Sequence, residues 1–177
     1  MNNRLTLAKN IARSRHEGQM YGEFPFYLHL DQVEKLAEPY GLNAMIVCQL
    51  QSLIDDTSTE LDEIFSEFGQ TIAHAVSYLS CAVYEDRHHR MVKQNETLST
   101  LEGFEESERL ALVVKTCDQY VDAKASRVFF PERFAKYQSD YATFRDAVYR
   151  PGLCEKVWLD LDRLMEIGTF LGRTEHH

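Results

Sequence analysis

The stretch "CQLQSLIDDTSTELDEIFSEFG", residues 48–69, reads as two helical segments separated by a short polar break. The first segment ends at the acidic pair Asp55-Asp56. Thr57 and Glu60 have the S/T-x-x-E spacing of a capping box, which predicts that a second helix begins just after them. A hydrophobic stripe with helical spacing follows: Leu61, Ile64, Phe65 and Phe68. The stretch therefore predicts an amphipathic helix on the far side of a hydroxyl-rich turn.

The same helical periodicity extends in both directions, and strand patterns are nearly absent. Residues 44–55 are apolar on nearly all sides, which is typical of a central buried helix. Residues 107–126 and a series after Pro131 keep the spacing of three and four. No internal repeat, low-complexity tract or linker interrupts the chain. We predict one all-α domain spanning residues 1–177, built as a bundle of roughly eight to ten helices.

Two segments break the helical pattern. The stretch "GQMYGEFPFYLHL", residues 18–30, holds two glycines, Gly18 and Gly22, and a proline, so we predict an ordered aromatic loop. The stretch "YEDRHHRMVKQNE", residues 84–96, is rich in charge and is predicted to be an exposed connection.

Composition narrows the classes of protein. The chain has 177 residues, 44% of them hydrophobic and 27% charged, which is typical of a globular protein with a sizeable core. A formal net charge of -9 makes a nucleic-acid partner improbable, because such proteins need a basic face. No apolar run reaches the about 18 residues that cross a bilayer, and the N-terminus lacks a signal-peptide core. We expect a cytoplasmic protein with no membrane partner.

The four cysteines are widely spaced and form no C-x-x-C pair. Three of them fall in apolar helical stretches. We therefore predict buried free thiols rather than disulfides or zinc ligands.

Three segments, in this order, resemble the HD-type hydrolase domain of RelA/SpoT proteins, in particular its small stand-alone versions such as the metazoan SpoT homologues. They are "ARSRHEGQMYGEFPFYLHLDQVEKL" (12–36), "LQSLIDDTSTELDEIFSEFGQTIAHAVSYLS" (50–80) and "LVVKTCDQYVDA" (112–123). The first is similar to the family's A-x-x-x-H-x-G-Q opening, the second to its L-H-D-V-V-E-D-T motif and the third to its K-L-A-D helix. The resemblance covers roughly residues 5–165 and implies an HD-domain-like fold. It also implies hydrolysis of the 3'-pyrophosphate of the alarmone (p)ppGpp with one Mn²⁺.

The resemblance implies four metal ligands, of which this chain keeps two. His16 matches the first ligand and Asp118 the last, whereas Gln51 and Ser52 stand where the family has its His-Asp pair. A neutral amide and a hydroxyl bind a divalent cation more weakly than an imidazole and a carboxylate. We therefore predict no metal cofactor, with Mn²⁺ or Mg²⁺ expected only if the protein is active.

The other chemical positions of the family are only partly kept. Asp55 and Asp56 match its acidic pair, which positions the attacking water. Met20 and Tyr21 stand where the family has basic residues, so the resemblance implies a loss of charge that neutralises phosphate.

Three basic residues, Arg87, Arg90 and Lys93, lie roughly where the family carries cationic contacts to phosphate. Asp122 stands where the family has an Asn, and we expect its carboxylate to repel a nucleotide phosphate. These four residues are the candidate ligand-binding set.

Each candidate also has a purely structural explanation. His16 could satisfy a carbonyl at a helix end, and the acidic pair could favour the N-terminus of the next helix. An inward Asp118 needs a partner, which Lys115, His16 or a solvent-filled cavity could supply. His29 matches a family histidine that is not a metal ligand, so we expect it to pack and form hydrogen bonds.

Two functional hypotheses follow. In the first, the protein is a degenerate family member, not a conventional hydrolase, that binds a guanine nucleotide, an alarmone or a protein partner. In the second, it is an active metal-dependent (p)ppGpp 3'-pyrophosphohydrolase or related nucleotide phosphohydrolase. The metal would then be displaced along the helix and held by His16, Asp55 or Asp56, and Asp118.

Overall fold

The computed structural model describes residues 2–81 and 86–172, with side chains as far as Glu166. Its α-helices are α1 (Asn3–Arg15), α2 (Phe26–Ala37), α3 (Leu42–Leu50), α4 (Leu53–Asp56), α5 (Leu61–Phe68), α6 (Gln70–Leu79), α7 (Arg87–Ser99), α8 (Glu106–Phe129), α9 (Pro131–Val148) and α10 (Glu155–Gly172). A two-stranded antiparallel hairpin, β1 (Met20–Tyr21) and β2 (Phe24–Pro25), precedes α2. The prediction of an all-α helical bundle is confirmed. No helix in these described ranges is long and apolar enough to cross a lipid bilayer.

Helices α3 and α8 form the centre of the bundle. Helix α8 contacts α2, α3, α6, α9 and α10, and 13 of its 24 residues are buried, from Ser107 to Ser126, with polar side chains among them. Helix α3 is buried on nearly all sides, as its apolar sequence predicts. The helix predicted over residues 44–55 is not continuous, however, because α3 ends at Leu50, a turn follows at Gln51 and Ser52, and α4 begins at Leu53. The four cysteines are buried free thiols, which confirms the prediction made for them.

The capping box before α5 lies three residues later than predicted. Glu60 is the N-cap, and its side chain and that of Glu63 exchange hydrogen bonds with the backbone of the first turn. The Thr57 hydroxyl instead donates to the carbonyl of Leu53 at 2.6 Å. Because Thr57 ends α4, its hydroxyl is used by the preceding helix.

The predicted aromatic loop is only partly a loop, because α2 already begins at Phe26. Pro25 directly precedes the helix, where its fixed φ and missing N–H are tolerated. Gly22 turns the hairpin with φ +60°, and a Cβ there would lie 2.9 Å from the Phe130 ring. This close approach seats the hairpin against the end of α8.

The prediction of a charged connection at residues 84–96 is wrong from residue 87 onward, and residues 84 and 85 lie outside the described residues. Asp86 caps α7 by accepting a hydrogen bond from the His89 amide at 3.1 Å. Within α7 only Asn95 and Leu98 are buried. So few apolar positions give a weak periodic signal, which is why the helix was missed.

Candidate functional site

A cleft of about 580 Å³ opens between α7, α8 and α9 and the turn from α3 into α4. Eight of the candidate residues line it: Gln51, Ser52, Asp55, Asp56, Arg87, Arg90, Asp118 and Asp122. Two candidates, His16 and Lys93, are not among its lining residues. The fold therefore brings most of the predicted site together on the wall of one cavity.

Asp118 is held at the base of this cleft by two side chains. Its Oδ1 atom accepts hydrogen bonds from His29 Nε2 at 2.9 Å and from Gln51 Nε2 at 3.3 Å. Burial opposes the charged form of Asp118 most strongly, but the hydrogen bond and charge of His29, the charge of Lys115 and the hydrogen bond from Gln51 together outweigh it and lower the pKa of the carboxyl group. Burial likewise favours the neutral imidazole, yet the Asp118 hydrogen bond raises the pKa of His29. The two groups therefore stabilise each other as an ion pair.

His29 was predicted to pack and form hydrogen bonds, and it does both. Its side chain is 8% exposed, and its ring stacks on Tyr21 with centroids 5.0 Å apart. Of the partners predicted for Asp118, Lys115 acts through its charge, which helps to lower the pKa of the carboxyl group, and the cleft borders Asp118, but the direct hydrogen-bond partner His29 was not predicted. The correct partner lies 89 residues away in sequence, so only the packing of α2 on α8 could reveal it.

The donors near Asp118 do not fit the manganese ion that the fold family implies. An ionised carboxylate only accepts hydrogen bonds, so Gln51 must present its amide nitrogen to Asp118 rather than its oxygen. His16 is buried, its Nδ1 lies 2.7 Å from Gln19 Oε1, and among the described residues its Nε2 has no hydrogen-bond partner. That nitrogen is a competent metal donor. Throughout the described residues, however, no group of three or more His, Cys, Asp or Glu side chains could hold a metal ion.

The displaced metal site of the second hypothesis is not assembled either. Asp55 accepts hydrogen bonds from Ser80 Oγ at 2.6 Å and from the Cys81 amide at 2.9 Å. It thereby binds the C-terminal end of α6, rather than favouring the N-terminus of α5 as the structural explanation held. Asp56 is exposed and accepts a hydrogen bond from Gln19 Nε2 at 3.3 Å.

Asp122 is not the open negative charge that the sequence suggested. It is 8% exposed, and its Oδ2 atom lies 2.8 Å from Arg133 Nη2. The hydroxyls of Tyr21 and Tyr137 donate to the same carboxylate. Burial and the nearby charge of Asp122 raise the pKa of Tyr21, so this hydroxyl stays protonated and donates. The predicted repulsion of phosphate is therefore offset inside the protein, by an arginine that sequence reasoning missed.

The predicted basic residues separate into two groups. Arg87 and Arg90 line the cleft, and Arg87 donates a hydrogen bond to the Tyr137 hydroxyl at 3.2 Å. Lys93 does not line it and instead lies 2.7 Å from Glu96 in an exposed ion pair. The set of phosphate contacts proposed from the sequence is thus reduced to the two arginines.

Two lysines that were not predicted as ligands also line the cleft, Lys115 on α8 and Lys136 on α9. Over the ranges that the structure describes, neither ammonium group has a hydrogen bond or an ion pair. Lys115 precedes Asp118 and Asp122 by three and seven residues, so helical spacing places all three on one face. That spacing was a usable signal in the sequence.

A solved structure with the same fold comes from a metazoan ortholog of SpoT that hydrolyses ppGpp and plays a role in starvation responses. The two chains are similar with a TM-score of 0.80 at 17% sequence identity, over 95% of this chain and 97% of the other. Neither a family model nor a curated protein sequence matches this chain. At this identity the likeness shows the fold, which is the HD-domain-like fold of a SpoT-type protein.

Proposed function

We propose that this chain binds a guanine nucleotide or alarmone in the cleft and does not hydrolyse it. The ligand class is carried over from the SpoT ortholog, whose fold the chain shares. The loss of hydrolysis is supported by the donor set around Asp118, which lacks the ligands for a catalytic cation. The two halves of the proposal can therefore be tested separately.

One observation carries the binding half, namely which charged groups of the cleft are left without protein partners. Five of the six aspartates that line it accept hydrogen bonds from protein donors: Asp55, Asp56, Asp86, Asp118 and Asp122. Lys115, by contrast, is half-buried and, among the described residues, has no such partner. Among these aspartates Asp122 has a cationic partner in Arg133 and Asp118 is paired with His29, so the cleft is less negative than its six carboxylates alone would make it.

Partnered aspartates and an unpartnered lysine favour an anion such as phosphate. The charge of Lys115 helps to lower the pKa of Asp118, but among the described residues its ammonium group makes no hydrogen bond. Such a group in a partly desolvated cleft gains a charge-assisted hydrogen bond when a phosphate oxygen approaches. Arg87 and Arg90 stand on the neighbouring helix and can contribute further charge. In this proposal they hold the phosphate groups together with Lys115.

Binding and hydrolysis are measured on the same purified protein. We expect ppGpp to raise the melting temperature without added metal, since a ligand bound only by the folded state stabilises it by mass action. We expect no release of pyrophosphate when Mn²⁺ is added. Absence of binding by isothermal titration calorimetry with ppGpp, GDP and GTP contradicts the binding half.

A pair of lysine variants locates the binding. Lys115→Ala should weaken ppGpp binding by about 1.5 kcal/mol, roughly tenfold, because a hydrogen bond to a charged group is lost. Lys93→Ala is the matched control, since it removes an equal charge from an exposed ion pair that does not line the cleft. An equal loss in both variants would indicate only a general electrostatic effect.

An active hydrolase is the second candidate, and one observation favours it. The unpartnered Nε2 of buried His16 is the kind of donor that a metal could occupy. Mn²⁺-dependent release of pyrophosphate from ppGpp, abolished in Asp118→Asn, would establish this activity. The same result would end the proposal of a non-hydrolysing protein.

A protein partner is the third candidate, and the exposed aromatic side chains favour it. Phe65 on α5 is 51% exposed and Phe24 on β2 is 50% exposed. Phe65 lies in the acidic stretch "DEIFSEFG" (62–69), and Phe24 lies in the aromatic segment 18–30. If no nucleotide changes the melting temperature, this role becomes the leading one.

A further inference from the structure

We infer that Lys136 and Asp140, one turn apart on α9, read the base edge of the bound nucleotide and select guanine over adenine. The inference rests on the proposed function, since it requires a nucleotide in the cleft. It goes beyond that function by naming the side chains that choose the base.

Both side chains line the cleft and, within the described part of the chain, both lack a hydrogen bond or ion pair. Asp140 is the one aspartate of the cleft wall left without a protein donor. Lysine and aspartate four residues apart on a helix commonly pair with each other. Lys156 and Asp160 on α10 have this spacing and lie 3.2 Å apart. On α9 the same two residue types remain separate, so both are available to a ligand.

The edge of guanine matches this separated pair. It presents two adjacent donors, the N1–H and N2–H groups, and beside them the acceptor O6. A carboxylate can accept from both donors at once, while an ammonium group donates to a carbonyl oxygen. Asp140 would therefore bind N1–H and N2–H, and Lys136 would bind O6.

Adenine presents the opposite pattern to the same two groups. Its N1 is an acceptor and would face the Asp140 carboxylate, while its amino group is a donor and would face Lys136. Both contacts are repulsive, so the pair rejects adenine as well as attracting guanine. In the proposed function Lys115 on α8 and Arg87 on α7 hold the phosphate groups, so base and phosphates would be recognised from different helices.

Four nucleoside diphosphates with identical phosphate groups separate base recognition from phosphate binding. Titration calorimetry without divalent metal is expected to show GDP binding roughly 10- to 100-fold more tightly than ADP. IDP, which lacks the N2 amino group, should fall between them. XDP should bind poorly, because its C2 oxygen would face the Asp140 carboxylate.

The variant Asp140→Asn reverses the selection. Its amide can donate to the C2 oxygen of xanthine while still accepting from N1–H, so XDP should gain affinity and GDP should lose it. Asp146→Asn is the matched control, because Asp146 is exposed on the same helix and does not line the cleft. Circular dichroism and melting temperature verify that both variants fold.

The possible outcomes distinguish a failure of this inference from a failure of the proposed function on which it rests. If no diphosphate binds the unmodified protein, both are overturned. If GDP and ADP bind equally, or if Asp140→Asn keeps the preference for GDP over XDP, only the selection by Lys136 and Asp140 is overturned. A change of preference in Asp140→Asn and not in Asp146→Asn supports it.

Discussion

Charged side chains at the base of the cleft have partners within the protein, whereas, among the described residues, those on its α9 wall have none. At the base, Asp118 is paired with His29, and Asp122 is paired with Arg133. On the wall, Lys136 and Asp140 line the same cavity and, in the described residues, have no such partners. Groups that satisfy one another inside the protein stabilise the fold, whereas groups left unsatisfied at a cavity are available to a ligand. The comparison predicts opposite responses to mutation on the two sides.

The largest effect is expected at the base, from Asp118→Ala. Removing this carboxylate leaves the 8%-exposed His29 without its partner, which should lower the free energy of unfolding by about 3 kcal/mol. Urea denaturation of the variant and the unmodified protein measures the difference.

The same variant distinguishes a structural carboxylate from one retained for catalysis. Functional residues often reduce stability, so removal of a catalytic carboxylate tends to stabilise a protein. An unfolding free energy that rises in Asp118→Ala would mean that His29 does not hold it as a structural partner. A double-mutant cycle with His29→Gln isolates the energy of the pair.

Restoring the family ligands should convert the base of the cleft into a metal site. The double variant Gln51→His with Ser52→Asp adds an imidazole and a carboxylate to the turn that lines the cleft with Asp118. At a Mn²⁺ concentration of 100 times the dissociation constant, binding would stabilise it by about 2.7 kcal/mol.

Thermal melting with and without Mn²⁺ measures this gain, and the unmodified protein is the control. We expect no Mn²⁺-dependent change in the control. An equal increase of the melting temperature with Mn²⁺ in both proteins would show that Gln51 and Ser52 do not prevent metal binding. That result would contradict our interpretation of the site.

A smaller effect is expected from Tyr21→Phe, which removes one of the hydroxyls that donate to Asp122. The loss of one hydrogen bond to a charged, buried group should cost about 1.5 kcal/mol of unfolding free energy. Tyr27→Phe is the matched control, since its ring contacts Arg13 while its hydroxyl, among the described residues, has no hydrogen-bond partner. Equal unfolding free energies for the two variants would show that the Tyr21 hydroxyl does not stabilise the hairpin.

The smallest effect is expected on the wall of the cleft. Lys115→Ala and Lys136→Ala remove ammonium groups for which the described residues offer no partner, so each should change the unfolding free energy by less than about 0.5 kcal/mol. The same urea experiment measures both. A cost above about 1 kcal/mol in either variant would mean that the lysine is structural, and it would remove the distinction between wall and base.

Local sequence patterns predicted most of the helices but not their exact ends. The stripe beginning at Leu61 predicted helix α5 correctly, since a packed helix needs an apolar residue every three to four positions. Its four residues were expected to be buried, but only Ile64 and Phe68 are, while Leu61 and Phe65 are 37% and 51% exposed. Helix α7 was missed because only two of its residues are buried. The predicted capping box failed because the Thr57 hydroxyl had a competing acceptor one turn upstream. Hydrophobic periodicity thus predicted helices where enough side chains are buried, whereas a capping pattern of single polar residues did not predict where the helix begins.

For the candidate site, the sequence determined which residue types stand at the positions that match the family's metal ligands and phosphate contacts. The resemblance predicted that these positions belong to one site. Gln51 and Ser52 can be read from the chain alone, and so can the shortage of metal ligands that they imply. The sequence also determined the all-α fold, since burial follows from local periodicity. Tertiary structure alone decided that His29 meets Asp118, that Arg133 balances Asp122, and that Lys136 and Asp140 stay apart. The physical reason is that a side-chain charge is set by its neighbours in space, which helix packing brings together from distant parts of the chain.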